Sequence, residues 1–397
     1  MSLSSFASAG FMPLEEKLEI PIHKSSLHIG IPKEKYYQEK RIALTPDSVQ
    51  SLVNNGHRVL IEQGAGENAT FSDKDYIKAG AEITADVEKV FRCPILLKIE
   101  PLSEDEINMV QPKTIVISAL QIKTRNKVYF EKLLQKKIIA LAYEYIQDVD
   151  GCFPAVRALS EIAGTASILI ASELMANSAI SRGMLFGNIT GVRPTEVLIL
   201  GSGTVAEYAA KTAIALGASV KVFDNNITKL RRLQTNLSMP IYTSTLQQKT
   251  LKKALMRCDV AIGAKRGSSR APILVTQTMM ENMKKGAVIV DVSIDTGGCF
   301  ESSEVTTHEK PTFIKNDVIH YCVPNIPSRY ARTSSMSISN MIEPILLEIA
   351  ENGGVEQSIS FNKGIREGVY CYQGILTKKN IADWFGLEYR DLNLLLM

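Results

Sequence analysis

The segment running from Val197 to Asp224, VLILGSGTVAEYAAKTAIALGASVKVFD, carries residue types at a spacing suited to binding a dinucleotide. Gly201 permits a tight turn from an apolar run into a helix. Gly203 lets the backbone approach a pyrophosphate, and Ala206 is small enough for helix and strand to pack. Thr204 and Val205 open a helix whose first N–H groups and partial positive charge face the phosphates. Asp224 ends the next apolar run about 20 residues on, where a carboxylate accepts both hydroxyls of an adenosine ribose. A 2′-phosphate would meet that negative charge, so the pattern favours NAD over NADP. Lys229, Arg231 and Arg232 follow, and they either soften that preference or form a solvated helix face.

Asp295 is a second candidate acid. It follows the apolar run Val288–Ser293 and precedes Gly297 and Gly298, at the carboxyl edge of a parallel sheet where ligands bind. Its alternative role is to cap a turn before the glycines. His308 and His320 have no cysteine or carboxylate at metal spacing, so no metal site is expected. The basic loop Lys265–Arg270 could touch a cofactor phosphate, but it reads first as a solvated connection. The six cysteines lack CxxC spacing and fall beside apolar runs, as reduced core thiols of a cytoplasmic protein do.

These groups need a scaffold, and 397 residues suffice for two domains with their own cores. Apolar runs at Leu27–Ile31, Val59–Glu62, Ile95–Lys98, Ile115–Ser118 and Ile138–Ala142 alternate with helical stretches, and the alternation resumes from Val197. The expected fold is α/β: two doubly wound Rossmann-like domains with parallel sheets, joined by long helices across a cleft. Helices over 156–179 and 335–352, the second capped by Thr333 or Ser334, supply the crossings. The expected division is 1–153 plus 330–397 for the substrate and 154–329 for the dinucleotide. With 45 basic against 42 acidic residues, no nucleic-acid or membrane surface is indicated, and no apolar stretch stands out as a span. The segment through Ser26 is expected to pack on the surface or on a partner subunit.

Ile31-Pro32-Lys33-Glu34 followed by Lys40-Arg41-Ile42-Ala43-Leu44-Thr45-Pro46 resembles the N-terminal signature of alanine dehydrogenases and the NAD-binding component of proton-translocating transhydrogenases. The likeness continues through Gly64-Ala65-Gly66, Leu159-Ser160-Glu161-Ile162-Ala163-Gly164, the glycine loop, the run from Asp291 to Glu301, and His320-Tyr321-Cys322-Val323-Pro324-Asn325. The Ser-Glu-Ile-Ala-Gly segment is similar to the dehydrogenase branch. The resemblance implies oxidative deamination of L-alanine to pyruvate and ammonium with NAD, the reverse amination, and a homo-oligomer, dimer or hexamer. It assigns Arg41 to the substrate carboxylate, Asp295 and Asn325 to the neighbourhood of the nicotinamide, and Ser160 and Lys229 to the cofactor.

The chain departs from the family at two positions. A catalytic histidine is expected where Leu120-Gln121-Ile122 stands, and no histidine lies between residues 58 and 307. An amide donates a hydrogen bond but exchanges no proton near neutral pH. The family's Lys-Val-Lys-Glu-Pro becomes Lys98-Ile99-Glu100-Pro101, so Lys98 either reaches the cleft or is a surface lysine at a strand end. Three readings follow: alanine dehydrogenase with Gln121 in place of histidine, a dehydrogenase of the same fold for another amino or oxo acid, and a catalytically silent NAD-binding protein.

Overall fold

The computed structural model describes residues 24–396 except 37, 238, 268 and 269; the N-terminal segment expected to pack on a partner lies almost wholly outside them. Strands β1 (His28–Ile31), β2 (Arg58–Glu62), β3 (Glu82–Thr84), β4 (Ile95–Leu97), β5 (Ile115–Ser118) and β6 (Ile139–Ala142) build a first sheet. Strands β7 (Glu196–Leu200), β8 (Ser219–Phe223), β9 (Tyr242–Ser244), β10 (Val260–Gly263), β11 (Val288–Asp291), β12 (Thr312–Lys315) and β13 (Val318–Tyr321) build a second. Finally β14 (Val369–Tyr372) and β15 (Ile375–Leu376) rejoin the first. The orders are β15-β14-β6-β5-β4-β1-β2-β3 and β12-β13-β11-β10-β7-β8-β9. Pairing is parallel except where β14 joins β6 and β15, and β12 joins β13.

Central strands such as β6, β10 and β11 are buried at every position. Helices cover both faces of such a sheet, so its strands become near-continuous apolar runs, and this made them readable in sequence. Each sheet winds outward in both directions, from β1 and β4 in the first and from β7 and β10 in the second. Strands diverge at such switch points, leaving a crevice beyond their carboxyl ends. The chain leaves β1 toward Arg41, β4 toward Glu100, β7 toward Gly201 and β10 toward Lys265.

A helix over Pro154–Ala176, started by proline at its first turn, connects the sheets, and Ala331–Glu351 returns the chain. The connecting helix is long and apolar enough to span a bilayer by length and composition, contrary to the sequence expectation. It instead packs on the helices Thr204–Ala215 and Ala331–Glu351 and on β11, which explains its apolar content. The return helix starts earlier than expected. Thr333 and Ser334 lie inside it, and the Ser334 hydroxyl donates to Pro327 O instead of capping. All six cysteines are free thiols, five of them buried, with Cys152 exposed.

Candidate active site

Residues 39–45 form an irregular loop that is buried but has no ladder to satisfy its N–H groups, so other partners must. Lys40 and Arg41 N–H donate to Glu39 Oε1 at 3.0 and 2.8 Å. Serines on the return path take others: Lys40 N–H donates also to Ser328 Oγ, Ile42 N–H to Ser335 Oγ at 2.9 Å, and Thr45 N–H to Ser339 Oγ at 2.9 Å. The last two sit one helical turn apart on one face, a rail for the loop.

That loop fixes Arg41, which is 4 % exposed. Its Nε and Nη2 donate to the two oxygens of Glu39 at 2.7 and 2.6 Å, a bidentate fork that fixes the plane of the guanidinium. Its Nη1 is buried without a partner among the described residues. A buried cation with a vacant donor is costly unless something anionic completes it. Burial alone would raise the Glu39 carboxyl, but the Arg41 charge and hydrogen bonds more than offset it and hold it well below the usual range.

Glu100, 2 % exposed, lies 3.9 Å from Arg41 Nη2 and accepts from Gln121 Nε2 at 2.7 Å. Burial and the adjacent Glu39 carboxylate push the Glu100 carboxyl up to about 8. Gln121 itself stands at φ +48°, and Glu144 holds its turn by accepting the N–H groups of Leu120 and Gln121 at 2.8 and 3.2 Å. The other oxygen of Glu144 is buried and unpartnered among the described residues, and burial raises that carboxyl too.

Lys98 corrects the expectation of a surface lysine: it is 1 % exposed, with its ammonium 2.7 Å from Glu106 and 3.3 Å from Glu34. Those two carboxylates satisfy it where β4 ends, and the side chain that reaches Arg41 belongs to Glu100, two residues on. Sequence reasoning missed Glu100 because the resemblance directs attention to lysines in this turn.

From the second sheet, Asp295 and Asn325 meet the same cluster. Asp291, fully buried, accepts the N–H groups of Ser293 and Cys299 and the hydroxyl of Ser303, and so shapes the turn in place of Asp295. Asp295 is thereby released to project, exposed, from the turn Val292–Thr296, where it accepts the Asn325 N–H at 3.2 Å and feels the charges of Arg266 and Arg41. The Asn325 side chain donates to Glu39 Oε2 at 2.8 Å, joining the two sheets across the crevice.

The glycine loop has the expected shape. Gly201, at φ +117°, abuts Ala264 so closely that a Cβ would fall 2.4 Å from its carbonyl oxygen. Gly203 precedes the helix Thr204–Ala215 and faces open space, with nothing within 4 Å of where its Cβ would be. Ser160 lies one turn before Gly164, whose Cβ would sit 2.4 Å from Val205 O, so the shared face carries Ser160 to the start of the Thr204 helix. Lys229 is exposed on the next helix, Ile227–Asn236.

Asp224, 1 % exposed, accepts Ser202 Oγ at 2.8 Å, Asn226 N–H at 2.9 Å and Lys265 Nζ at 2.7 Å. The reading of Lys265–Arg270 as a solvated connection therefore fails at its first residue, whose ammonium finds the buried carboxylate across the glycine loop. Burial would raise Asp224; these three donors bring it below its usual value.

Two doubly wound sheets with a crevice lined by a fixed guanidinium and carboxyl groups define an oxidoreductase of the amino-acid dehydrogenase class. The comparisons give the particular family. Residues 30–163 match the family described as alanine dehydrogenase/PNT, N-terminal domain, and residues 167–379 match its C-terminal domain, so the chain belongs to the alanine dehydrogenase/PNT family. It is 34 % identical over 368 residues to alanine dehydrogenase 2 of Staphylococcus aureus strain USA300, covering 92 % of this chain and 98 % of that one. A solved L-alanine dehydrogenase superposes with a TM-score of 0.84 at 31 % identity, over 90 % of this chain and 98 % of that one. A transhydrogenase from Sinorhizobium meliloti shares the fold, with a TM-score of 0.75 at 21 % identity, over 89 % of this chain and 99 % of that one.

Proposed function

We propose that the chain is an NAD-dependent alanine dehydrogenase, converting L-alanine and water to pyruvate and ammonium and running the reverse amination. The observation that carries the reading is the buried Nη1 of Arg41, unpartnered among the described residues, in a cluster that Asn325 ties to the sheet bearing the glycine loop. A small carboxylate completes that guanidinium.

The residues fit a dinucleotide. The space beyond Gly203 admits a pyrophosphate at a helix N-terminus, and the Asp224 carboxylate, with three of its roughly four acceptor positions filled, keeps one for a ribose hydroxyl. When bound, the nicotinamide exchanges hydride with the substrate's α-carbon. Gly201, Gly203, Thr204, Val205, Ser160, Asp224, Lys229 and Asn325 are assigned to holding the cofactor. Arg41 orients the substrate, Gln121 donates within the acid cluster, and Asp295 faces the substrate from the second sheet. Lys98 is assigned to support the cluster through its ion pair with Glu34. Residues 1–153 with 330–397 form the substrate domain, and 154–329 the dinucleotide domain, in a cytoplasmic homo-oligomer.

The test is NADH oxidation with ammonium and a panel of 2-oxo acids. Fastest turnover of pyruvate upholds the reading. Preference for a larger or dicarboxylic oxo acid would replace it with a second, favoured by the Arg266 charge acting on Asp295 and Glu144. NADH binding without oxidation would defeat both.

A further inference from the structure

Gln121 stands where the family resemblance calls for a proton-exchanging side chain, and an amide cannot serve. The crevice holds another candidate. Glu100 is buried, lies 3.9 Å from the guanidinium that has a vacant donor, and is held at its other oxygen by Gln121 at 2.7 Å. Glu100 lies against Nη2, the amine next to the vacant Nη1, and in the proposed complex a ligand carboxylate sits on Nη1 with its α-carbon, and the oxygen and nitrogen attached to it, turned toward Glu100. The geometry points to Glu100 as the group that exchanges a proton with the substrate's oxygen and nitrogen, with Gln121 as its positioning residue. This rests on the amino-acid dehydrogenase reading above.

The local charges assign the two glutamates different tasks. Glu39 and Glu100 are in hydrogen-bond contact, and Arg41 forks onto Glu39, so the two carboxyls share one proton and one negative charge, which the guanidinium balances. Glu34 and Tyr143 face the same cluster, and Lys98 stands behind Glu34. Glu39 stays ionised, while Glu100 carries the proton near neutral pH and releases it close to 8. That is where a general acid and base works best.

The step balances. In amination, ammonia forms a bond to the carbonyl carbon as Glu100 gives its proton to the oxygen, and the Glu100 carboxylate then takes one proton from the new ammonium group. The product is a neutral carbinolamine beside a neutral Glu100. Glu100 next protonates the hydroxyl; the C–O bond breaks, water leaves with that electron pair, and the nitrogen lone pair forms an iminium opposite the Glu100 carboxylate. Reduced nicotinamide dinucleotide, the hydride donor named above, supplies the two electrons for the amino acid. Deamination reverses each step.

The test compares the whole enzyme with Glu100→Gln and Glu100→Asp. In wild-type deamination at saturating substrate, kcat is expected to rise through a limb above pH 8 as Glu100 ionises, because the bound carboxylate raises Glu100 from its ligand-free value of about 8. Glu100→Gln should lose that limb and ~10²–10⁴-fold in kcat, while melting temperature and NADH binding show that it is folded. Should it not fold, Glu100→Asp must keep the limb and lose about tenfold or more, since one methylene misplaces the carboxyl. Unchanged kcat in either folded variant overturns the proposal.

Calorimetry of pyruvate binding without ammonium, in two buffers of different ionisation heat, gives a readout independent of turnover. The added carboxylate should draw a fraction of a proton onto wild-type Glu100 between about pH 7.5 and 9, and none onto Glu100→Gln. Uptake in wild type without turnover of any oxo acid would leave Glu100 a ligand-linked acid and overturn both its part in the reaction and the functional reading. Equal uptake in the variant, or no binding by wild type, overturns Glu100.

Discussion

Asn325 and Glu39 belong to different sheets, yet the amide of one donates to the carboxylate of the other at 2.8 Å. The same carboxylate grips Arg41, so the orientation of the proposed substrate anchor depends on closure of the crevice. Asn325 adopts φ +54°, which aspartate also tolerates, so Asn325→Asp changes chemistry and not backbone. A carboxylate facing Glu39 loses a hydrogen bond worth ~1.5–3 kcal/mol and adds repulsion. The KM for pyruvate should rise at least about tenfold; steady-state kinetics showing less than a twofold rise would separate crevice closure from substrate binding.

The two glycines of the loop make opposite predictions. Gly201→Ala drives a Cβ to 2.4 Å from Ala264 O at a positive φ, so it should destabilise the fold by ~1–3 kcal/mol, read from chemical denaturation. Gly203→Ala meets nothing within 4 Å and should leave stability within ~0.5 kcal/mol, yet weaken NADH at least about tenfold, read from fluorescence titration. Unaltered NADH affinity in Gly203→Ala would move the pyrophosphate elsewhere.

Lys265 neutralises the carboxylate that the sequence pattern assigns to NAD selectivity. Removing it with Lys265→Ala leaves Asp224 with Ser202 and the Asn226 N–H, and restores an unopposed negative charge at the ribose site. The ratio of NADP to NAD dissociation constants should rise roughly tenfold, the worth of one charge-assisted contact. A ratio unmoved or lowered in equilibrium titration would show that the ammonium does not act on cofactor choice.

The strands were legible because burial on both faces forces apolar runs, as in β10 and β11, and the glycine loop because its geometry admits few residue types. The strands β3, β9, β12 and β13 went unread, as did the short β14 and β15, which join the first sheet antiparallel where β14 meets β6 far along the chain. Asp224 was legible and its partner Lys265 was not, since nothing local directs an ammonium 41 residues away. The serine rail shows the same limit. Ser335 and Ser339 look neutral in a helix, and their role exists only once the Arg41 loop lies against them. In the acid cluster, the turn after β4 decides whether Lys98 or Glu100 reaches Arg41, and a period-two count places both on one face.

Lys98 neutralises two buried carboxylates, so Lys98→Met leaves Glu34 and Glu106 facing each other in the core. Breaking such a group from one side costs ~3–5 kcal/mol. Burial already holds Glu34 up near 7, and losing the lysine raises it further. A group whose folded pKa is elevated favours the folded state more as pH falls through that value. The deficit of Lys98→Met should therefore be largest above pH 7 and shrink toward pH 5, and a deficit constant across that range in urea titrations would contradict the buried trio.

Gln121 offers the sharpest check on how the crevice sets its acid. Its Nε2 donates to Glu100 at 2.7 Å, which favours the ionised carboxyl. Gln121→Leu keeps similar bulk and deletes the donor, so the carboxyl should hold its proton to higher pH. One lost hydrogen bond of about 1 kcal/mol corresponds to roughly 0.5–1 pH unit. The alkaline limb of kcat for deamination should move upward by that amount, with NADH affinity little changed because the amide belongs to the first sheet. Movement downward would mean that Gln121 favours the protonated form, and an unmoved limb would assign it to a group that Gln121 does not touch.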